Sequence, residues 1–307
     1  MRDELGQALV EYGRINKDVV VLDADVANST MTIAFQKAYP DRFFNVGIAE
    51  AGMVDTAVGL AMGGKIPFAS AFAAMLCYRG MEQIRSCIVY NDANVKLLAS
   101  YAGVSDFKDG ATHHSMIDIA LMRALPNMTV IVAADGQELK KMIPAIAEYQ
   151  GPVYLRISRT DTPYTFGENE PFEIGKGRVA SNGVDASILV SGTPLHRCII
   201  ASKILKKEGI SARVVEFPTI KPLDDELVLR CCKETGTLVT VEEHSIIGGL
   251  YGAVAELLVK TIPTPVVSVG INDQFARTAL NPEELWDFCG FTPENIVSAT
   301  KEALKRK

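Results

Sequence analysis

The feature that most restricts this chain is a repeated pairing of short, unbroken apolar runs with longer stretches of helical period. Val19-Val20-Val21-Leu22 is the first such run. It is too short for a buried helix and has the all-apolar character of a strand covered on both faces. Just before it, Leu5, Ala8, Leu9 and Tyr12 recur at helical spacing, which predicts a helix over 3–13. The same reading predicts helices at 31–38, 72–88, 115–124 and 136–149, and one following Glu50. Strands are expected at 42–46, 66–70, 95–100, 128–133 and 153–157. After Asp185 the pattern resumes, with strands at 187–191, 212–217, 237–241 and 265–269. Helices at 194–208, 223–234 and 247–261 separate them, and a helical end runs from Pro282. This alternation predicts an α/β fold with two doubly wound, mostly parallel domains. Between them, Thr160-Asp161-Thr162-Pro163 and Gly167-Glu168-Asn169-Glu170-Pro171 read as turns and linker. The expected organisation is a domain at 1–165, a linker at 166–184 and a smaller domain at 185–307, since 307 residues suffice for two cores.

Charge narrows the function classes. The formal charge of −6, with no block of Lys or Arg, argues against nucleic acid as a partner. No apolar run reaches membrane-spanning length, so no membrane role is expected. The start, Met1-Arg2-Asp3-Glu4, opens an amphipathic stretch rather than a signal peptide. Six cysteines without a C-x-x-C suggest buried free thiols in a reducing compartment, and a cytoplasmic location is expected.

Several residues could carry chemistry. Glu50 stands almost alone as a polar group in Phe44-Asn45-Val46-Gly47-Ile48-Ala49-Glu50-Ala51-Gly52-Met53. Such an acid has its charged form disfavoured unless something binds it, and is either a helix-start charge or a proton-handling group. Phe72 at a strand-to-helix junction reads alone as core. Asp109-Gly110-Ala111-Thr112-His113-His114 is a polar cluster in a long loop. Its two histidines have no third ligand at suitable spacing, so no metal site is expected. Arg156 and Arg159 read as surface charges, or as an anion clamp at a strand's carboxyl end. Glu242-Glu243-His244 followed by Gly248-Gly249-Leu250 is a Gly-rich turn, a weak phosphate signal when taken alone.

Together these segments resemble transketolases. The order is Phe44 to Glu50 with Gly52-Met53, then Pro67 to Tyr78, Asp109 to His113, Leu125-Pro126-Asn127 and Ser158-Arg159. With the turn at 242–250, the resemblance spans essentially the whole chain and is to the C-terminal section of a split transketolase. It implies a pyrimidine-binding thiamine-diphosphate domain followed by the smaller transketolase C-terminal domain. The implied reaction moves a two-carbon ketol unit between sugar phosphates, using thiamine diphosphate and magnesium.

The resemblance also implies roles. Glu50 would hydrogen-bond a ring nitrogen of the cofactor's aminopyrimidine and so help remove the thiazolium proton. Phe72 would lie against that ring, with Tyr78 near it and Asp25 close to cofactor and substrate. Ser29, Arg2 and Arg159 would hold the acceptor's phosphate. Asp109 would read a substrate hydroxyl, and His113 would touch the sugar near its reacting end. Met75 stands where many relatives have an aromatic. Tyr101 stands where transketolases commonly have a substrate-side histidine, and Lys108 where an acid is usual. Both of the latter departures lie in the substrate loop and bear on the choice of sugar, outside the usual pentose phosphates, more than on cofactor chemistry.

Thiamine enzymes hold the diphosphate and its metal with a G-D-G run and a later Asn. Here Ala134-Asp135-Gly136 lacks the first Gly and is followed by no suitable Asn. The implied active unit is therefore a heterotetramer, two copies each of this chain and of an N-terminal subunit that carries the diphosphate and metal site. Alternatives are a half-enzyme like deoxyxylulose phosphate synthase or like the beta subunit of 2-oxo acid dehydrogenases, or a non-catalytic scaffold subunit.

Overall fold

The computed structural model describes residues 1–307. The first half runs α1 (Arg2–Ile15), β1 (Val19–Asp23), α2 (Ala27–Thr30), α3 (Ile33–Ala38), β2 (Phe43–Asn45), α4 (Glu50–Met62) and β3 (Ile66–Phe72). It continues with α5 (Ala73–Gln83), a π-helical segment (Ile84–Val89), β4 (Lys96–Ser100), α6 (Asp118–Ala124), β5 (Thr129–Val132), α7 (Gly136–Glu148) and β6 (Val153–Arg156). The second half runs β7 (Arg178–Ser181), β8 (Ala186–Ser191), α8 (Leu195–Lys207), β9 (Ala212–Glu216), β10 (Thr219–Lys221), α9 (Asp225–Thr235) and β11 (Leu238–Ser245). It ends with α10 (Leu250–Lys260), β12 (Val266–Ile271), α11 (Pro282–Phe288) and α12 (Pro293–Lys305).

One sheet has the order β10-β5-β6-β4-β3-β1-β2 and the other β12-β11-β8-β9-β7. All pairings are parallel except those of β10 and β7, each an antiparallel edge strand. Strands β1 and β4 are buried at every position, as their unbroken apolar or near-apolar runs require. No helix is long and apolar enough to cross a membrane.

Two strands lie where the sequence shows none. Strand β7 falls inside the stretch 166–184 that reads as linker, and pairs Arg178 with Glu216 of β9. Its residues, Arg178-Val179-Ala180-Ser181, form a half-exposed edge strand with neither an apolar run nor clean alternation. Strand β10 has three residues between Pro218 and Pro222, and leaves the second sheet to pair with Val130 and Ile131 in the first. Proline at both flanks confines such a strand to an edge and hides it from pattern reading. The helical end also divides into α11 and α12, with Gly290 between them at φ +88°, a left-handed turn that suits glycine.

These strands join the halves. The largest apolar cluster runs from Val20 and Leu97 through Met122 and Val132 to Phe217, Val228 and Val254. A buried ion triad adds a second link. Arg178 Nη2 lies 2.6 Å from Glu216 Oε2 and also bonds Glu138 on α7. Burial pushes the Glu138 and Glu216 carboxyls up, and the one guanidinium between them opposes this at both. Removing one member of such a buried group costs about 3–5 kcal/mol. Arg178→Ala should therefore lower the unfolding free energy measured in urea by that order, and adding Glu138→Gln should restore part of it. An unchanged urea midpoint in R178A would show that the triad contributes no stability.

Candidate active site

A parallel sheet binds ligands where neighbouring strands send their connections to opposite sides. Here β1 connects towards β2 and β3 towards β4, so that point lies between the carboxyl ends of β1 and β3. A cleft of about 210 Å3 opens there, lined by Asp25, Ile48, Glu50, Phe72, Met75, Arg79 and His113 among others. Four residues singled out in the sequence (Asp25, Glu50, Phe72 and His113) thus meet around one space.

Each has a local reason for its place. Asp23 is buried at the end of β1, accepts the Val26 N–H at 2.6 Å and the Thr32 hydroxyl at 2.9 Å, and so folds the following loop back. Asp25 takes φ +65° on that loop and accepts a bond from Asn45 Nδ2 at 3.0 Å. Glu50 is the first residue of α4 and is only 5% exposed. Phe72 ends β3, and α5 begins at the next residue. His113 is half-buried, with its ring 6.2 Å from that of Phe72.

Glu50 is not the isolated acid that its sequence neighbours suggest. Arg79 Nη1 lies 3.1 Å from Oε1 and 3.4 Å from Oε2. Arg79 is absent from the residues the sequence singles out. It lies 29 positions away on α5, and no local spacing announces the pair. Tyr78, one residue earlier, does not line the cleft. It is 44% exposed.

A second group adjoins the cleft through Tyr101, whose ring packs on Phe72 at 4.4 Å. Tyr101 has φ +59°, a strained conformation for a bulky side chain. Arg2 Nη1 donates to the Tyr101 hydroxyl at 3.1 Å and to the Ser29 carbonyl at 3.1 Å. The Arg159 guanidinium lies 5.2 Å from the Tyr101 ring centre and pairs with Asp106 at 2.9 Å. Arg2, Ser29, Tyr101 and Arg159 therefore do converge, with Ser29 engaged through its backbone carbonyl. Burial first, then the adjacent Asp109 carboxyl, pushes Asp106 up to about 6, against the pull of Arg159. Asp109 itself is on the exposed part of the loop. Arg156 is no surface charge: it is 5% exposed and bonds Asp118 through Nε at 2.8 Å.

The sequence matches the transketolase pyrimidine-binding domain over residues 1–165 and the transketolase C-terminal domain over 175–296. The chain belongs to the transketolase family. A provisionally named transketolase C-terminal section of Methanocaldococcus jannaschii is 44% identical over all of this chain and 97% of its own length. A 6-deoxy-6-sulfo-D-fructose transketolase subunit of a Clostridium species is 37% identical over 100% of this chain and 95% of that one. A solved split-gene transketolase, an inactive tetramer of β subunits, superposes with TM-score 0.92 at 45% identity, over 99% of this chain and 98% of that one.

Transketolases depend on thiamine diphosphate, and the cleft of this transketolase-family chain suits part of that cofactor. A buried carboxylate, an aromatic ring and apolar walls from Ile48 and Met75 match a flat heterocycle with one polar edge. Its volume is below the about 300–1,000 Å3 of clefts that enclose whole drug-sized ligands.

The Gly-rich turn is not a phosphate cradle. Glu242 Oε2 and Oε1 accept the Leu250 and Tyr251 N–H groups at 2.6 and 2.9 Å, so the protein's own carboxylate occupies the start of α10. A Cβ on Gly249 would lie 1.9 Å from that carboxylate. Ala134-Asp135-Gly136 is likewise a helix cap, with Asp135 accepting the Glu138 N–H at 2.9 Å.

His244 is fully buried. Its Nδ1–H donates to the Ser245 carbonyl at 2.7 Å, and Nε2 accepts the Ala120 N–H at 3.3 Å. Burial brings it down to about 4, outweighing the Asp118 carboxylate 4.0 Å away. Its folded-state value lies below the unfolded one near 6.5, so the stability that neutral His244 contributes is present above that pH. It is lost as pH falls towards about 4. Denaturation from pH 7.5 to 4.5 should show a steeper loss in the wild type than in His244→Gln. Parallel curves would rule out this linkage.

Proposed function

We propose that this chain is the C-terminal subunit of a two-subunit transketolase that transfers a two-carbon ketol group between sugar phosphates. The observation that carries the reading is the meeting of Glu50 and Phe72 in one ring-sized cleft at the sheet's switch point. When bound, thiamine diphosphate supplies the carbon centre that takes up and releases the two-carbon unit.

The chain's own residues do the rest. Phe72 and Met75 bind the flat face of the pyrimidine and keep water from it. Glu50 holds a proton at a ring nitrogen, which needs its carboxylate to turn from, or be shared with, Arg79. His113 and Asp109 bind sugar hydroxyls, with Asp25 at the rim of the cleft. Arg2 and Arg159, both beside Tyr101, place two guanidinium groups where an acceptor's phosphate would dock, with Ser29 at hand.

The diphosphate and magnesium belong, in this proposal, to an N-terminal partner subunit, and two copies of each chain form the active heterotetramer. The G-D-G run is missing from the sequence, and the 45% identical relative built only of β subunits is described as inactive. Both support dependence on a partner. The complex is proposed to work in the cytoplasm, in keeping with six free thiols, five of them buried.

Reconstitution tests this. The chain should transfer ketol units from xylulose 5-phosphate only when mixed with a G-D-G-bearing partner, thiamine diphosphate and magnesium. Glu50→Gln should lower kcat about 10²–10⁴-fold, the usual share of general acid–base catalysis. A fully active E50Q would remove the proton role from Glu50. Failure of every donor ketose with the reconstituted pair would favour a scaffold.

A further inference from the structure

The loop 101–113 holds Tyr101, Asp109 and His113, yet much of what fixes it comes from the other half of the chain. Its base is pinched by reciprocal bonds between Gly103 and Ser115, at 3.1 and 2.9 Å. The next amide, Val104 N–H, donates to Glu243 Oε1 at 2.9 Å. Glu243 lies near the end of β11 in the second sheet, and is buried. Its other oxygen accepts the Thr193 hydroxyl. A Cβ on Gly103 would lie 2.5 Å from Glu243 Oε1, so the carboxylate reaches the loop only because residue 103 has no side chain.

A second anchor from the same half lies further along. Ala279 N–H donates to the Phe107 carbonyl at 2.8 Å. A Cβ on Gly110 would lie 2.6 Å from Thr278 Oγ1, so the loop's far side is pressed against that segment. Arg156 ties the two sides at the base, with Nη2 donating to the Ser115 carbonyl at 3.2 Å and to the Glu243 carbonyl at 2.8 Å.

We infer that the second half of the chain sets the position of the loop, and that Glu243 is a positioning residue for the sugar-binding groups the loop carries. The second half thus has a part in the site beyond assembly, although it contributes no residue to the cleft. The kinetic side of this inference rests on the reading of the loop as substrate-facing given under Proposed function.

Reach distinguishes this role from a merely charged one. Asp keeps the charge of Glu but falls a methylene short of Val104 N–H. Gln loses the charge but keeps an acceptor at the right distance. Hydrogen–deuterium exchange on the full chain should show Glu243→Asp and Glu243→Ala raising exchange at Val104 and its loop neighbours by about tenfold or more. Amides of β1 and β3 should be unmoved, and Glu243→Gln should stay near wild type. If E243A fails to fold, E243D alone carries the test. In the reconstituted enzyme, E243D should raise KM for the acceptor about tenfold with little change in kcat, and E243Q should rescue it. Exchange in E243D equal to wild type, or raised equally through both sheets, overturns the inference. A loosened loop with unchanged kinetics upholds the positioning of the loop and removes the substrate role assigned to it.

Discussion

The structure depends on one buried cation. Arg156, at the carboxyl end of β6, carries a charge into a region where it must be fully paired. Its fork meets Asp118 on α6, the Ser115 carbonyl at the base of the loop, and the Glu243 carbonyl on β11. Three elements that must be in register are thereby held by a planar group with fixed donor directions. Asp118 also accepts the Tyr154 hydroxyl at 2.8 Å, so the same network reaches the core of the first sheet. A lysine would supply the charge there without the geometry.

Around that network the two halves are joined at further points. Strand β10 crosses to the first sheet, Arg178 bridges Glu138 and Glu216, and Glu243 reaches Val104. Of these links, the one from Glu243 reaches the loop that carries Tyr101, Asp109 and His113, and none of the linking residues lines the cleft. The cleft is lined only by residues of the first half, from the loops after β1, β2 and β4, the end of β3, and helices α4 and α5. The division is chemical as well as spatial. Glu50 and Phe72, proposed to face the cofactor, sit at element ends, whereas Asp109 and His113, proposed to face the sugar, sit on a loop that is contacted from the second half.

Much of this was legible in the residues. The mostly apolar runs of β1, β4 and β8 identify parallel strands without any partner in view, because burial on both faces favours apolar side chains. Glu50, Phe72, Asp25 and His113 could be nominated from their segments, and the fold brings them together. Strands β7 and β10 could not be read, since an edge strand of three or four residues is made by its neighbour's hydrogen bonds and not by its own composition. Arg156 looked like a surface charge because its partners are 38 and 87 positions away. The Glu242 turn carries only a weak phosphate signal in the sequence, because a Gly-rich helix start has the same pattern whether its anion is a ligand or the protein's own carboxylate.

The sequence by itself determined the α/β class, the two-sheet plan and the family, because burial periodicity and local motifs are properties of contiguous residues. Tertiary structure alone decided that Glu50 has Arg79 beside it, that Tyr101 packs on Phe72 with two arginines close to its ring, and that the second half grips the loop. Each of these rests on side chains distant in sequence meeting at a few ångströms, a distance that only the packing of the folded chain sets.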